Sequence, residues 1–146
     1  MRHNFKNLKA WQKARALVKA VYEVTHLFPS TEDYGLTSQM RRSAVSIPSN
    51  IAEGCGRNTH AQLCHFLNIA VGSSCELETQ VILAHDLKLL KEEPFASLTQ
   101  QIEEVRRIIL GFEQAIQSES GHLKEPISTY GEAWSAVGLT SDSEAV

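Results

Sequence analysis

Between positions 95 and 116, apolar residues recur at alternating intervals of three and four, and this feature restricts the fold more than any other. The residues are Phe95, Leu98, Ile102, Val105, Ile109, Phe112 and Ile116. Alternating intervals of three and four place side chains along one seam of an α-helix, whereas a half-buried strand would show an interval of two. This segment is therefore predicted to be a long helix whose apolar seam packs on other helices.

The same period recurs in three other segments, so helices are predicted over most of the chain. The first segment ends before Pro29, and the second begins between residues 33 and 36. The third begins at Thr59, which forms a helix-capping pair with Gln62, and extends to about Leu90. Short connections and a heptad seam are typical of antiparallel helices. The sequence therefore predicts an all-α fold, an up-down-up-down, left-handed four-helix bundle.

The 146 residues provide for one hydrophobic core. Residues 1–117 are expected to form the bundle domain. Residues 118–146 contain Ser and Gly without a sustained apolar period, and they are expected to form a tail that is flexible or docks through Trp134 on the bundle or a neighbouring copy. Three cysteines are too sparse for a disulfide scaffold, and neither a secretory leader nor a membrane-spanning run is recognisable. A cytoplasmic location is the resulting expectation.

Charge is distributed unevenly along the chain, although the net charge is only −3. Residues 1–66 contain nine Lys or Arg against four Asp or Glu, a net charge of +5. Residues 67–146 contain five against thirteen, a net charge of −8. Such an asymmetry is typical of proteins that bind nucleic acid or an acidic partner, and it also suits head-to-tail self-association.

The candidate nucleic-acid-binding residues lie in the basic half of the chain. They are Lys6, Lys9, Lys13, Arg41, Arg42 and Arg57. The three lysines fall within one arc of about 60° on the first helix. In a cyclic oligomer such a stripe repeats into a ring of positive potential, which attracts phosphate groups with little sequence preference. Two alternatives remain open: a solvated helix face, or contact with the acidic half of a neighbouring copy.

A proline lies inside the second predicted helix. Pro48 cannot donate a hydrogen bond to the carbonyl of Ala44, so a bend is expected there, with Ser and Asn side chains available to the freed backbone groups. The apolar face of this helix contains Met40, Ala44, Ile47 and Ile51. The polar stripe roughly opposite contains Arg42, Ser46, Asn50 and Glu53. This stripe is predicted to face solvent, a partner or a ligand.

The run Ser46-Ile47-Pro48-Ser49-Asn50-Ile51-Ala52-Glu53-Gly54 resembles the signature of a bacterial four-helix-bundle family, first noted as proteins encoded in intervening sequences of 23S ribosomal RNA. Further matching positions are Leu8, Trp11, Val21-Tyr22, Phe28-Pro29, Tyr34-Gly35-Leu36, Gln39, Arg41-Arg42, Phe66-Leu67, Ala70, Gly72-Ser73 and Glu76-Leu77-Glu78. The resemblance covers about residues 5–117. It implies that the motif residues are Ser46, Pro48, Asn50, Glu53 and Gly54, and that the bundle assembles as a cyclic homopentamer.

The chain is also similar to the accessory protein of diversity-generating retroelements, which binds a reverse transcriptase and nucleic acid through a basic surface. The resemblance implies a non-enzymatic, homo-oligomeric protein that binds nucleic acid or a nucleic-acid-handling enzyme. The expected partners are further copies of the chain and RNA, DNA or a reverse-transcriptase-like protein, with no membrane partner. The alternative is a protein–protein scaffold that binds no nucleic acid.

No group of residues in the sequence predicts catalysis, a metal site or a cofactor site. Cys55, His60 and Cys64 provide one loose pair of ligands without the matching second pair that zinc sites use. The glycines are expected to have structural roles. Gly54 and Gly56 suit a helix end followed by a turn, and Gly72 suits a close approach between helices.

Overall fold

The structure is a computed structural model, and it describes residues 2–119. Four α-helices form this part of the chain: α1 (Lys9–Thr25), α2 (Leu36–Cys55), α3 (His60–Asp86) and α4 (Glu92–Glu119). Two short 3₁₀ helices, Phe5–Asn7 and Ser30–Glu32, precede α1 and α2. Residues 2–119 contain no β-strand, so the predicted all-α class with four helices is confirmed.

The four helices enclose one hydrophobic core, because α1 packs on α2 and α4, and α3 packs on α2 and α4. Each predicted apolar face lies in this core. On α2, Met40, Ala44, Ile47 and Ile51 are completely buried. The buried residues of the predicted α4 seam are Leu98, Ile102, Val105, Ile109 and Ile116, while Phe95 and Phe112 pack against the core from its edge.

Helix α2 continues through Pro48. The side-chain amide of Asn50 donates hydrogen bonds to the carbonyl oxygen of Ser46, at 2.8 Å, and to the hydroxyl oxygen of Ser46, at 2.9 Å. An asparagine two residues after the proline therefore supplies an extra donor within the turn that contains it, but these bonds go to Ser46 and not to the carbonyl of Ala44 that Pro48 leaves free.

Helix α3 begins where the sequence predicts and ends earlier. The hydroxyl of Thr59 accepts a hydrogen bond from the backbone amide of Gln62 at 3.1 Å, which caps the helix. The predicted end at about Leu90 is wrong, since α3 stops at Asp86. Lys88 adopts the left-handed backbone region, with φ 62°, and the amide of Leu89 bonds back to the carbonyl of Ala84 at 2.9 Å. This is a Schellman ending with lysine where glycine is usual, so the sequence carries no glycine to mark it.

The expected role of Gly72 is wrong, and Gly54, which lies in the last turn of α2 as expected, has a packing role in addition. Gly54 lies inside α2, and a Cβ atom there would stand 2.9 Å from Cδ1 of Leu63 and 3.0 Å from Cβ of Phe66, so Gly54 permits the close approach of α2 to α3. A Cβ atom at Gly72 would meet no atom of the described chain within 4 Å, so within residues 2–119 this glycine permits no close packing. Gly56 follows the last residue of α2, where a helix end was predicted.

Most of the predicted tail, including Trp134, lies outside the described residues; Ser118 and Glu119 belong to α4. Among the helices of residues 2–119, none combines the length and the apolar composition needed to span a membrane.

Candidate nucleic-acid interface

The six candidate cationic residues lie in two separate regions. Arg41 and Arg42 are near the start of α2, where Arg41 contacts Tyr22 and Thr25 at the end of α1. Lys9 is the first residue of α1, whereas Lys6 lies before it in the 3₁₀ helix Phe5–Asn7, so the prediction that Lys6 shares one helical arc with Lys9 and Lys13 is wrong. The thirteen residues from Lys9 to Tyr22 correspond to about 20 Å along α1. The structure therefore does not bring the six residues into one patch.

A groove of about 560 Å³ between α1 and α2 holds the two arginines. We call it the α1–α2 groove, and its lining residues are Tyr22, Asp33, Thr37, Ser38, Arg41, Arg42, Val45 and Ser46. A volume of this size suits one small organic group rather than a protein segment. Sequence patterns alone could not reveal the groove, because Tyr22, Asp33 and Ser46 come from three different segments.

Arg41 is held in place by two contacts with α1. Its Nε atom donates a hydrogen bond to the hydroxyl oxygen of Thr25 at 3.0 Å, and its guanidinium carbon lies 4.5 Å from the ring centroid of Tyr22. Thr25 is itself buried and donates to the carbonyl of Val21 at 2.7 Å. Because Nε and one face of the guanidinium are engaged, Arg41 is oriented before any ligand arrives.

Within residues 2–119, neither arginine of the groove forms an ion pair with a carboxylate. Arg42 is exposed, and Arg41 is half-buried. Asp33 also lines the groove, so the net charge of its lining is +1. The neighbouring Glu32 accepts a hydrogen bond from the backbone amide of Leu36 at 3.3 Å, which satisfies the first amide of α2.

The other four candidates differ in how much of their charge is already compensated. Lys13 forms an ion pair with Glu104 of α4 at 3.4 Å, and Arg57 forms one with Glu53 at 2.5 Å. Lys6 and Lys9 are exposed and have no carboxylate partner in the part of the chain that the structure describes. These two lysines are therefore the uncompensated part of the predicted lysine stripe.

Two of the five family-motif residues of α2, Ser46 and Gly54, contact α3. The hydroxyl oxygens of Ser46 and Ser73 lie 2.8 Å apart, and Gly54 packs against Leu63 as described above. Glu53 takes part in the ion pair with Arg57, whose guanidinium also lies 4.8 Å from the ring centroid of Phe66. Ser46 and Gly54 thus contribute to the α2–α3 contact, and Ser46 alone among the motif residues also lines the α1–α2 groove.

Sequence reasoning missed a polar network buried between α3 and α4. Arg106 is 9% exposed; its Nη2 atom lies 2.5 Å from Oε2 of Glu78, and its Nε atom donates to the hydroxyl of Ser74 at 2.9 Å. A second buried contact joins Ser43 of α2 to Gln80 of α3 at 2.9 Å. The available signal was the pair Ser73-Ser74 in the middle of a long helix, where serine is unfavourable unless its hydroxyl has a partner.

Burial raises the pKa of a carboxyl on α4, Glu113, and of a thiol near the start of α3, Cys64. Burial raises the pKa of the Glu113 carboxyl above its usual value, and a hydrogen bond from Asn68 opposes the rise. Burial also raises the pKa of the Cys64 thiol, and the charge of Glu113 raises it further. A thiol with a raised pKa is a weak nucleophile at neutral pH. Within residues 2–119, no three His, Cys, Asp or Glu side chains are close enough to hold a metal ion.

The raised pKa of Glu113 predicts that its ionisation destabilises the fold. The folded state binds this proton more tightly than the unfolded state, so stability falls as pH rises from the unfolded pKa through the raised folded pKa. We expect Glu113→Gln to raise the Tm at pH 7 and to leave it unchanged at pH 4, measured by circular dichroism. The matched control is Glu103→Gln, an exposed glutamate on α4. An equal gain for both variants at pH 7 would contradict the prediction.

Comparison with known proteins identifies the class to which this four-helix fold belongs. The family model described as "23S rRNA-intervening sequence protein" matches residues 6–111, which include α1, α2, α3 and most of α4. The chain therefore belongs to this family, as its α2 motif indicated. The comparison with curated proteins gave no match.

A solved structure has the same fold. It is the crystal structure of a protein with unknown function from the S23 ribosomal protein family of Bacteroides thetaiotaomicron. The TM-score is 0.65 at 19% sequence identity, over 72% of this chain and 98% of that chain. At this identity the similarity supports the fold alone.

Proposed function

We propose that this protein is a non-enzymatic, homo-oligomeric helical bundle that binds nucleic acid or a nucleic-acid-handling enzyme in the cytoplasm. The single observation that carries the proposal is that Lys6, Lys9, Arg41 and Arg42 have no carboxylate partner in residues 2–119. Exposed cations without local partners are the groups that contact phosphates and release counterions.

The proposed assembly is a cyclic homopentamer of left-handed, up-down-up-down bundles. Residues 58–75 contain no charged residue, yet this part of α3 has exposed positions, among them Ile69 at 39% and Gly72. A helix face that lacks charge over several turns is typical of a surface covered by another subunit. In a ring, the uncompensated lysines of each copy would repeat around one axis. RNA, DNA or a reverse-transcriptase-like protein are the proposed partners of that surface.

The test of nucleic-acid binding is fluorescence anisotropy with RNA and DNA across a salt series. We expect affinity to fall steeply as salt increases, because each neutralised phosphate releases counterions. Reversing the stripe with Lys6→Glu, Lys9→Glu and Lys13→Glu is expected to abolish binding. The double variant Lys6→Glu/Lys9→Glu has a charge-matched control, Lys88→Glu/Lys91→Glu. The control reverses the charge of two exposed lysines in the acidic half of the chain. Absence of binding at micromolar protein and low salt would overturn the proposal.

The second candidate is a protein–protein scaffold that binds no nucleic acid. The ion pair between Lys13 and Glu104 favours it, because a cation of the stripe is already used within the fold. In this case the Lys6→Glu/Lys9→Glu variant would dissociate the oligomer in light scattering, whereas nucleic acid would not bind. A molar mass five times that of the chain would support the pentamer under either candidate.

A further inference from the structure

We propose that the α1–α2 groove is a binding site for a single phosphate group. The argument begins with Thr37, which lines the groove and is only 4% exposed. Its hydroxyl oxygen is buried and has no hydrogen-bond partner within the described residues. A buried hydroxyl without a partner carries a free-energy cost, and that cost is removed when the Thr37 side chain turns its hydroxyl toward a ligand in the groove.

The charges around Thr37 select an anion. Arg41 and Arg42 both line the groove, and neither is neutralised by an ion pair within residues 2–119. Arg41 is already oriented by Thr25 and Tyr22, so its two terminal nitrogens need no further ordering. Planar guanidinium groups bind phosphate oxygens through paired hydrogen bonds.

The first turn of α2 adds neutral hydrogen-bonding groups to the lining. Thr37 and Ser38 belong to the first turn of α2, where backbone amides point away from the helix without partners inside it. The amide of Leu36 is taken by Glu32, but none of the backbone hydrogen bonds outside the helix interiors of residues 2–119 involves the amides of Thr37 or Ser38. Helix N-termini are favourable positions for phosphate groups for this reason.

Asp33 limits what the groove can hold. With two guanidinium groups and one carboxylate, the lining has a net charge of +1, which suits the single charge of a phosphodiester better than a polyphosphate. A group that approaches Thr37 in the groove must also be small and flexible, because this residue is only 4% exposed. One phosphate of a single-stranded nucleic acid meets both conditions, and this source rests on the proposed function. A free phosphate ester is the other source of the same chemistry.

The test measures binding of two probes to the full chain. Inorganic phosphate is titrated by isothermal calorimetry, and a labelled single-stranded oligonucleotide is titrated by fluorescence anisotropy. Arg42→Gln is expected to weaken both affinities about tenfold, and Thr37→Val about fivefold, because each removes a hydrogen bond to a charged group. Thr37→Val deletes a buried hydroxyl without a partner, so the variant is expected to remain folded and to unfold at an equal or higher temperature.

Two control variants isolate the groove. Thr99→Val deletes another buried threonine hydroxyl that lacks a partner in the described chain, on α4, and it should leave both affinities unchanged. Lys9→Gln removes one positive charge about 20 Å from the groove along α1, and it should leave the affinity for inorganic phosphate unchanged.

The outcomes separate this inference from the proposed function. If both inorganic phosphate and the oligonucleotide bind with equal affinity to wild type, Thr37→Val and Arg42→Gln, the groove is not the phosphate site, and nucleic-acid binding stands. If inorganic phosphate binds and both variants weaken it, but the oligonucleotide does not bind, the phosphate site is supported with a free ester as its source, and the proposed function fails. Acetate is titrated by calorimetry as a competing type of anion. Equal affinity for acetate and inorganic phosphate would overturn the inference, and so would the absence of binding by both inorganic phosphate and the oligonucleotide.

Discussion

Replacing Arg106 with methionine is expected to lower the free energy of unfolding by about 3 kcal/mol. The guanidinium of Arg106 is almost completely buried between α3 and α4, where it contacts the Glu78 carboxylate and the Ser74 hydroxyl. Methionine fills a similar volume but leaves Glu78 without its cation. An unpaired, partly buried carboxylate loses solvation that nothing replaces. The effect should be at the low end of the range for buried pairs, because the Glu78 side chain keeps 27% exposure.

Urea denaturation of three further variants checks the cause of this loss. Lys19→Met removes a positive charge from an exposed position on α1, and it should change stability by no more than about 0.5 kcal/mol. Glu78→Gln, alone and combined with Arg106→Met, completes a double-mutant cycle. The combined variant should be more stable than the sum of the single losses predicts. If the two losses simply add, the contact between Arg106 and Glu78 contributes nothing to stability.

The substitution Gly54→Ala is expected to destabilise the protein by about 2 kcal/mol, although alanine is the better helix former. The new methyl group would stand 2.9 Å from Cδ1 of Leu63, 3.0 Å from Cβ of Phe66 and 3.2 Å from the carbonyl oxygen of Leu63. The side-chain end of Leu63 can shift, but its backbone carbonyl cannot move without displacing α3. The cost of overpacking therefore exceeds the gain of about 1 kcal/mol in helix propensity.

Gly72→Ala is the matched control for this variant. Gly72 also lies inside a helix, and its added methyl group would meet nothing within 4 Å in residues 2–119, so a gain of up to about 1 kcal/mol is expected. Thermal and urea unfolding of both variants measure the contrast. Stabilisation by both substitutions would show that α2 and α3 are not in tight contact at Gly54. If the Gly72→Ala oligomer has a lower molar mass in solution than wild type, the outer face of α3 is part of a contact between subunits.

The helices and their buried faces could be predicted from the sequence because they depend on local periodicity. The apolar face of α2 is fully buried, and the α4 seam lies in the core with the predicted spacing. The end of α3 could not be predicted in the same way. Its left-handed residue is Lys88, and lysine gives no signal for a conformation that glycine normally adopts.

The candidate site was less accessible to prediction because it depends on contacts between distant segments. The pairing of Arg106 with Glu78 joins residues 28 positions apart, and periodicity gives no information on such a pair. Similarly, the sequence places Lys13 in a basic stripe, whereas the structure shows it paired with Glu104. Arg41 and Arg42 were identified as cations, but the groove that contains them follows only from the packing of α1 on α2.

The serine contacts between α2 and α3 fix the alignment of these two helices. Apolar side chains tolerate sliding, since one leucine can take the place of another, but the contacts of Ser43 with Gln80 and of Ser46 with Ser73 exist at one alignment only. Sliding by one turn, about 5.4 Å, would separate both pairs and leave buried polar atoms without their cross-helix partners. Neighbouring apolar residues can therefore change in size over evolutionary time while the helices keep the same relative position.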